Sequence, residues 1–187
     1  MNLNPLIRRI VYFIIRTRQF NDKCIKEFAK RTHNKKILEL GSGRSIKGKC
    51  PYSASKFFDK TNEFICSDIN KQYGHKAVDA AKMKFDGEFD VILCLSVLEH
   101  VFDFENAIKN MRRALKQQGE VVIFVPAFYP LHDEPHDYWR FTEHSLRKLL
   151  NDFKNIKIKT FGIRQYPFGY YVEAKKYATS QVAPKLI

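Results

Sequence analysis

Residues 35–45 read KKILELGSGRS, and this stretch decides the fold. Its first half is a short apolar run, Ile37, Leu38 and Leu40. Its second half breaks into glycines at 41 and 43. A buried strand that ends in a glycine loop marks the ligand edge of an open α/β sheet. Glycine lets the backbone turn tightly and approach a ligand closely, and ligands of such sheets sit beyond the carboxyl ends of the strands. The dinucleotide fingerprint G-x-G-x-x-G needs glycine at position 46, where Ile46 stands. The following SIKGKCPYSASK opens no clear helix to receive a pyrophosphate. A nicotinamide dinucleotide therefore loses support, and a nucleotide with an uncharged linker gains it.

Outward from that loop the pattern repeats. FICSDI (64–69), HKAVDA (75–80), FDVILCLS (89–96) and EVVIFVP (120–126) read as further strands, the last two apolar on both faces as central parallel strands are. Phe104 to Gln117 carries Phe104, Ile108, Met111 and Leu115 on one helical stripe, ended by Gly119. Thr142 caps a helix carrying Leu146, Leu149 and Leu150. NIKIKTF (155–161) and GYYVEAKK (169–176) alternate with period two and read as a closing pair. Strands alternating with helices predict a mostly parallel sheet covered on both faces, with an antiparallel last strand. Asp68 ends the second strand, where a carboxylate can accept both hydroxyl protons of a ribose. Asp79 and Ala80 end the third, placed to accept from an adenine amino group.

The chain has 187 residues, enough for one domain and too few for two ordinary ones. Its net charge is +13, which attracts anionic partners without choosing among nucleic acid, lipid and phosphorylated glycan. The excess concentrates in residues 1–36, with ten Lys and Arg against Asp22 and Glu27. Asn4-Pro5 starts a helix, and Asp22 to Arg31 reads as a second one. The apolar run Ile10 to Ile15 is far short of the roughly 20 residues a spanning helix needs, and no signal-peptide pattern follows it. Residues 1–34 are expected to be a basic helical pair packing on the domain, residues 35–177 the domain and 178–187 a loose tail. The alternative for the helices is peripheral contact with a membrane or partner. Cys24, Cys50, Cys66 and Cys94 form no C-x-x-C pair, so no zinc framework is suggested; Cys66 and Cys94 lie in apolar runs and read as reduced core residues, which fits a reducing cytoplasm.

The ordered set ILELGSG, ICSDIN, VDAAKMKF, FDVILCLSVLEHV, ALKQQGEVVIFVP and PHDYWRFT resembles the class I S-adenosylmethionine-dependent methyltransferases, type 11-like, over about Lys35 to Lys176. The resemblance implies a seven-stranded Rossmann-like sheet and S-adenosyl-L-methionine as cofactor. It implies that Glu39, Gly41 and Gly43, with Ser42, surround the methionine part. Asp68, with Ile69, would hold the ribose, and Asp79 with Ala80 the adenine. Leu95 and Ser96 would lie beneath the cofactor. Departures are Ser45 where the family often has a third glycine, a short link Ile69 to His75, and a polar insertion Lys47 to Lys60.

Methyl transfer from a sulfonium needs alignment of the acceptor and exclusion of water. A hydroxyl acceptor also calls for a base, and His suits that role. His100 follows the fourth strand. HDEPHDYWRFT (132–142) follows the fifth, with His136 and Asp137 as candidate base and orienter. His132, Tyr138, Trp139 and Arg140 are candidates for holding the acceptor, Arg140 as a bidentate grip on an anion. His132 and His136 stand four apart, but Pro130 and Pro135 argue against the helix that would give them one face. No metal is expected, with Glu99 and His100 a minor option. The leading expectation is O-methylation of a small molecule, sugar or lipid-linked glycan, at the cytoplasmic face of a membrane or free of it. RNA methylation and a non-catalytic binding subunit are the alternatives. The sequence does not give the oligomeric state.

Overall fold

The computed structural model describes residues 5–47 and 50–177, with side chains from Arg16 onward. The expected tail at 178–187 and the apolar stripe Leu6 to Ile15 lie outside the described residues and side chains. The first element, α1 (Pro5–Ala29), is one continuous helix. The sequence reading expected a pair with the second member starting at Asp22. Neither Pro nor Gly interrupts Arg16 to Asp22, and extending an existing helix is far easier than nucleating a new one.

Seven strands follow: β1 (Lys36–Leu40), β2 (Glu63–Asp68), β3 (Lys76–Ala77), β4 (Phe89–Leu95), β5 (Leu115–Pro126), β6 (Lys154–Ile163) and β7 (Tyr166–Lys175). They form one sheet in the order β3-β2-β1-β4-β5-β7-β6. The neighbours from β3 to β5 run parallel. β7 runs antiparallel to both β5 and β6. The helices α2 (Phe104–Ala114) and α3 (Glu143–Leu149) complete the fold.

Alternation along the strands divides the core in two. Ile37, Val91, Leu93, Val122, Phe124 and Tyr171 meet Cys24, Ile25 and Phe28 of α1. Leu38, Ile92, Cys94, Val121, Ile123 and Val172 meet Met111 of α2 and Leu146 of α3 on the other face. Each fully buried large apolar side chain contributes about 1.5–3 kcal/mol. The links Arg31–Glu173 and Lys159–Glu27, each 2.7 Å and partly exposed, fix the angle of α1 more than its stability. Between β1 and β2 the chain supplies only a short 3-10 turn, Ala54–Phe57, so α1 is the main cover of that face.

Two boundaries differ from the sequence reading. α2 stops at Ala114 rather than Gln117. Leu115 leaves the helix with extended backbone (φ −71°, ψ 139°), is fully buried, and pairs with Phe89. The ladder then shifts and resumes at Val91 opposite Glu120. β3 is only two residues long, and Val78 to Ala80 lie beyond it. Thr142 does cap α3, in a reciprocal box with Ser145. Among the described residues, no helix is long and apolar enough to cross a membrane.

Candidate active site

The C-terminal edge of the parallel strands gathers the chemistry. Glu39, at the end of β1, is 3% exposed. Its carboxylate accepts from Ser42 Oγ at 2.8 Å and from the Ala54 N–H at 2.7 Å. Burial raises its pKa, opposed by the hydrogen bonds from Ser53, Ala54 and Ser42. The insertion after the glycine loop is therefore a closing wall, which composition alone did not show. Gly41 has φ +69°, and a Cβ there would lie 2.3 Å from Val97 Cγ2. The Gly43 N–H donates to Asp68 Oδ2 at 3.0 Å, and the Asn70 N–H to Asp68 Oδ1 at 2.9 Å. Each of these oxygens keeps a second acceptor site, so Asp68 can still receive two hydroxyls.

Ile69 is 68% exposed beside Asp68 and offers a bare apolar surface. Asp79 accepts from the Ala81 N–H at 2.9 Å, and Ala80 is buried. Leu95 ends β4, and Ser96 follows with φ +53° and its N–H on the Phe124 carbonyl. The glycine cradle, the available lone pairs of Asp68 and the apolar surface of Ile69 fit S-adenosylmethionine.

Beside the cradle lies a cavity of about 430 Å³. Glu39, Gly41, Leu95 and Ser96 form one part of its lining; Glu99, His100, Tyr129, His132 and Asp133 form another. Thr17, Arg18, Asn21 and Asp22 of α1 complete it, so the N-terminal helix belongs to the site. No motif in the sequence pointed to those four residues.

Glu99 sits in the turn Leu98–His100 after β4, fully buried, and neither carboxylate oxygen has a hydrogen-bond partner among the described residues. Burial pushes its pKa up to about 8; its own nearby backbone N–H and then Arg140 oppose the rise, while Asp137 and Asp133 add to it. Both His100 Nε2 and His132 Nε2 lie 3.9 Å from Glu99 Oε1.

The loop HDEPHDYWRFT is non-helical, as its prolines predicted. It splits its residues differently from the expected dyad. His136 is exposed, lies outside the cavity and turns Nδ1 to the Tyr138 hydroxyl at 2.8 Å. Asp137 does not orient it. Asp137 instead approaches His132 Nδ1 at 3.2 Å and accepts from the His132 N–H at 3.0 Å. The physical reason is Arg140, which grips both oxygens of Asp137 at 2.6 and 2.7 Å and holds its pKa well below the usual carboxylate range. Arg140 also donates to the Tyr129 and Pro130 carbonyls. It is consumed by the loop and is not the expected grip on an anionic acceptor. Trp139 donates to the Phe102 carbonyl and packs on Phe104, and Tyr138 packs on Phe102. Both are anchors outside the cavity, not acceptor walls. Of the loop's four expected acceptor residues, only His132 reaches the cavity.

A mostly parallel sheet in this order, with β7 antiparallel and a glycine cradle beside an acidic second strand, defines the class I S-adenosylmethionine-dependent methyltransferase fold. The comparisons agree. A family described as a methyltransferase domain matches residues 12–156. The chain belongs to that methyltransferase-domain family. It is 28% identical over 123 residues to a ubiquinone biosynthesis O-methyltransferase of Pelagibacter ubique, a match covering 58% of this chain and 51% of that protein. The chain thus spans about half the length of the curated relatives it matches. The solved structure of a Burkholderia thailandensis 1,6-didemethyltoxoflavin N1-methyltransferase with bound S-adenosylhomocysteine superposes with a TM-score of 0.61 at 16% identity, over 95% of this chain and 92% of that one. A Haemonchus contortus phosphoethanolamine N-methyltransferase bound to S-adenosylmethionine gives 0.63 at 15% identity, over 84% and 52%.

Proposed function

We propose that this chain transfers a methyl group from S-adenosylmethionine to a hydroxyl oxygen of a polar small molecule, of the class of sugars or lipid-linked glycans. The observation that carries the reading is the convergence of Glu99, His100 and His132 on the same cavity as Gly41 and Ser96. When bound, S-adenosylmethionine supplies an electrophilic methyl group on a sulfonium. Glu39 and the glycine backbone would hold its amino-acid end, Asp68 its ribose hydroxyls, and Asp79 with Ala80 its adenine.

A neutral amine already presents a free lone pair. A hydroxyl must lose its proton, and a cluster of basic atoms beside the cofactor cradle serves that need. Arg18, Asn21, Asp22 and Lys56 add polar groups to a lining that also holds Ile25, Phe57 and Phe124, a mixture suited to an acceptor with both hydroxyls and apolar faces. The matched O-methyltransferase of ubiquinone biosynthesis is in keeping with an oxygen acceptor.

The test has two parts. Calorimetry should show S-adenosylmethionine binding that weakens in Asp68→Ala. Release of S-adenosylhomocysteine should then follow hydroxylated acceptors, and fall in His132→Ala with cofactor affinity retained. Turnover on amines alone would overturn the choice of oxygen.

A further inference from the structure

We propose that Glu99, His100 and His132 form a site for one divalent transition-metal ion, and that the acceptor hydroxyl joins as a further ligand. The second half rests on the hydroxyl-methylation reading; the first rests on the three side chains alone. The prolines of the 132–142 loop deny His132 and His136 a common helix face, and that argument against a metal holds for this pair. The fold gives His132 other partners. It sets the ring beside His100, the two centroids 4.8 Å apart, over the buried Glu99.

The tautomers decide the character of the cluster. His100 Nδ1 lies 2.9 Å from the His136 carbonyl oxygen. A carbonyl only accepts, so Nδ1 carries a proton, and in the neutral ring Nε2 is the atom with the lone pair. His132 Nδ1 lies 3.1 Å from the Pro130 carbonyl and 3.2 Å from Asp137 Oδ2, which fixes its tautomer in the same way. The two Nε2 lone pairs therefore face Glu99 Oε1, each from 3.9 Å. Three candidate ligand atoms converge, and neither Glu99 oxygen finds a hydrogen-bond partner among the described residues. A buried polar group without a partner is costly. A cation at the centre, taking the place of the proton on Glu99, gives all three a partner.

The spacing and the chemistry agree. One ligating atom from each residue lies within 4.8 Å of the others. Tetrahedral ligands about 2.1 Å from an ion stand about 3.4 Å from one another, so the two Glu99–His separations of 3.9 Å close by about half an ångström on loading. Two imidazoles and one carboxylate suit Zn²⁺, Mn²⁺, Fe²⁺ or Co²⁺ better than Mg²⁺, which takes oxygen ligands. Ligating histidines characteristically donate their other N–H to a carboxylate or carbonyl. Asp137, held by Arg140, and the His136 and Pro130 carbonyls are the acceptors here. Three protein ligands leave a position open to the cavity. A hydroxyl bound there becomes more acidic. Asp133, which lines the same cavity, would take the hydroxyl proton as the oxygen receives the methyl group. Asp133 Oδ2 stands 4.0 Å from His100 Nε2 on a side chain open to solvent.

Cobalt titration of the chelator-treated full chain tests the site, with S-adenosylmethionine calorimetry and circular dichroism run alongside. The expected result is one equivalent of Co²⁺ with visible bands of nitrogen and oxygen ligation, displaced by Zn²⁺. Those bands should disappear in Glu99→Gln and in His132→Asn while cofactor binding persists. Cys50, Cys66 and His75 form a second group within reach of one ion. Thiolate ligation there would give intense sulfur-to-cobalt charge-transfer bands, abolished in Cys66→Ser. If wild type binds cofactor but no Co²⁺, the metal site is wrong and the methyltransferase reading stands. If Co²⁺ binds as expected but cofactor does not, the reverse holds. Retention of the nitrogen-and-oxygen bands in both folded variants, or bands of the thiolate type alone, also overturns the site. His132→Asn keeps the test decisive should Glu99→Gln fail to fold.

Discussion

Replacing Glu99 with Gln should stabilise the metal-free protein at neutral and alkaline pH. Glu99 is fully buried, and burial raises its pKa from the ordinary 4.5 to about 8. Between those values the folded protein holds a proton that the unfolded chain has released. Stability is therefore fully present below 4.5, falls as pH rises by about 1.4 kcal/mol per pH unit, and levels off above 8. Across the window the loss comes to about 5 kcal/mol, an upper limit because local relaxation and water entry soften the burial of a charge. Glutamine keeps the shape and carries no proton to lose. The measurement is urea unfolding of chelator-treated wild type and Glu99→Gln from about pH 5 to about pH 9. The variant should match or slightly exceed wild type at the acid end and pull ahead toward the alkaline end. Parallel pH profiles for the two proteins would refute the claim that Glu99 is an unpartnered buried carboxyl. A stoichiometric metal ion added at pH 8 should remove the wild-type deficit and leave the variant unchanged.

Other outcomes follow from the same geometry. Gly41→Ala places a Cβ 2.3 Å from Val97 Cγ2 at a φ of +69°; thermal unfolding should show a loss of about 1–3 kcal/mol, and calorimetry a weaker cofactor. Arg140→Ala leaves Asp137, whose side chain is 2% exposed, as an uncompensated charge; denaturant melts should register about 3 kcal/mol, with turnover falling as His132 loses its held orienter. His136→Ala should keep turnover close to wild type, because the ring is exposed and outside the cavity. We further propose that the basic N-terminal half of α1 meets anionic lipid. Flotation with anionic vesicles should be lost on removing residues 1–12, and equal flotation would end that proposal; Thr17 to Asp22 must stay, since they line the cavity.

Much of the fold was legible because each strand is read from a local signal. Alternation or continuous apolarity marked every strand but the two-residue, exposed β3, and the glycines at 41 and 43 marked the ligand edge. The helix–strand boundary at Leu115 was not legible. A helical stripe continues through Leu115 in sequence, and only the tertiary pairing with Phe89 takes that residue into the sheet. The continuity of α1 was missed for a related reason: Asp22 resembles a cap, but a cap works only where a helix begins. In the site, the glycine cradle and Asp68 were readable, since both belong to strand ends. The partnership of Asp137 was not. Adjacency favoured His136, whereas the bidentate hold of Arg140 turns the carboxylate toward His132. Glu99, His100 and His132 come from two loops more than thirty residues apart, and no spacing rule joins them.

The docking of α1 also bears on how the chain assembles. The helix precedes every strand in synthesis, yet Arg31 pairs with Glu173 of β7 and Phe20 stacks on Phe161 of β6, the two strands made last. Contacts this distant in sequence form slowly. Cys24, Ile25 and Phe28 cover a face to which β1, β4 and β5 contribute first, and Tyr171 of β7 completes it last. The cavity wall formed by Thr17 to Asp22 is consequently finished only when the whole sheet is, so a nascent or truncated chain lacking β7 has no closed site to load.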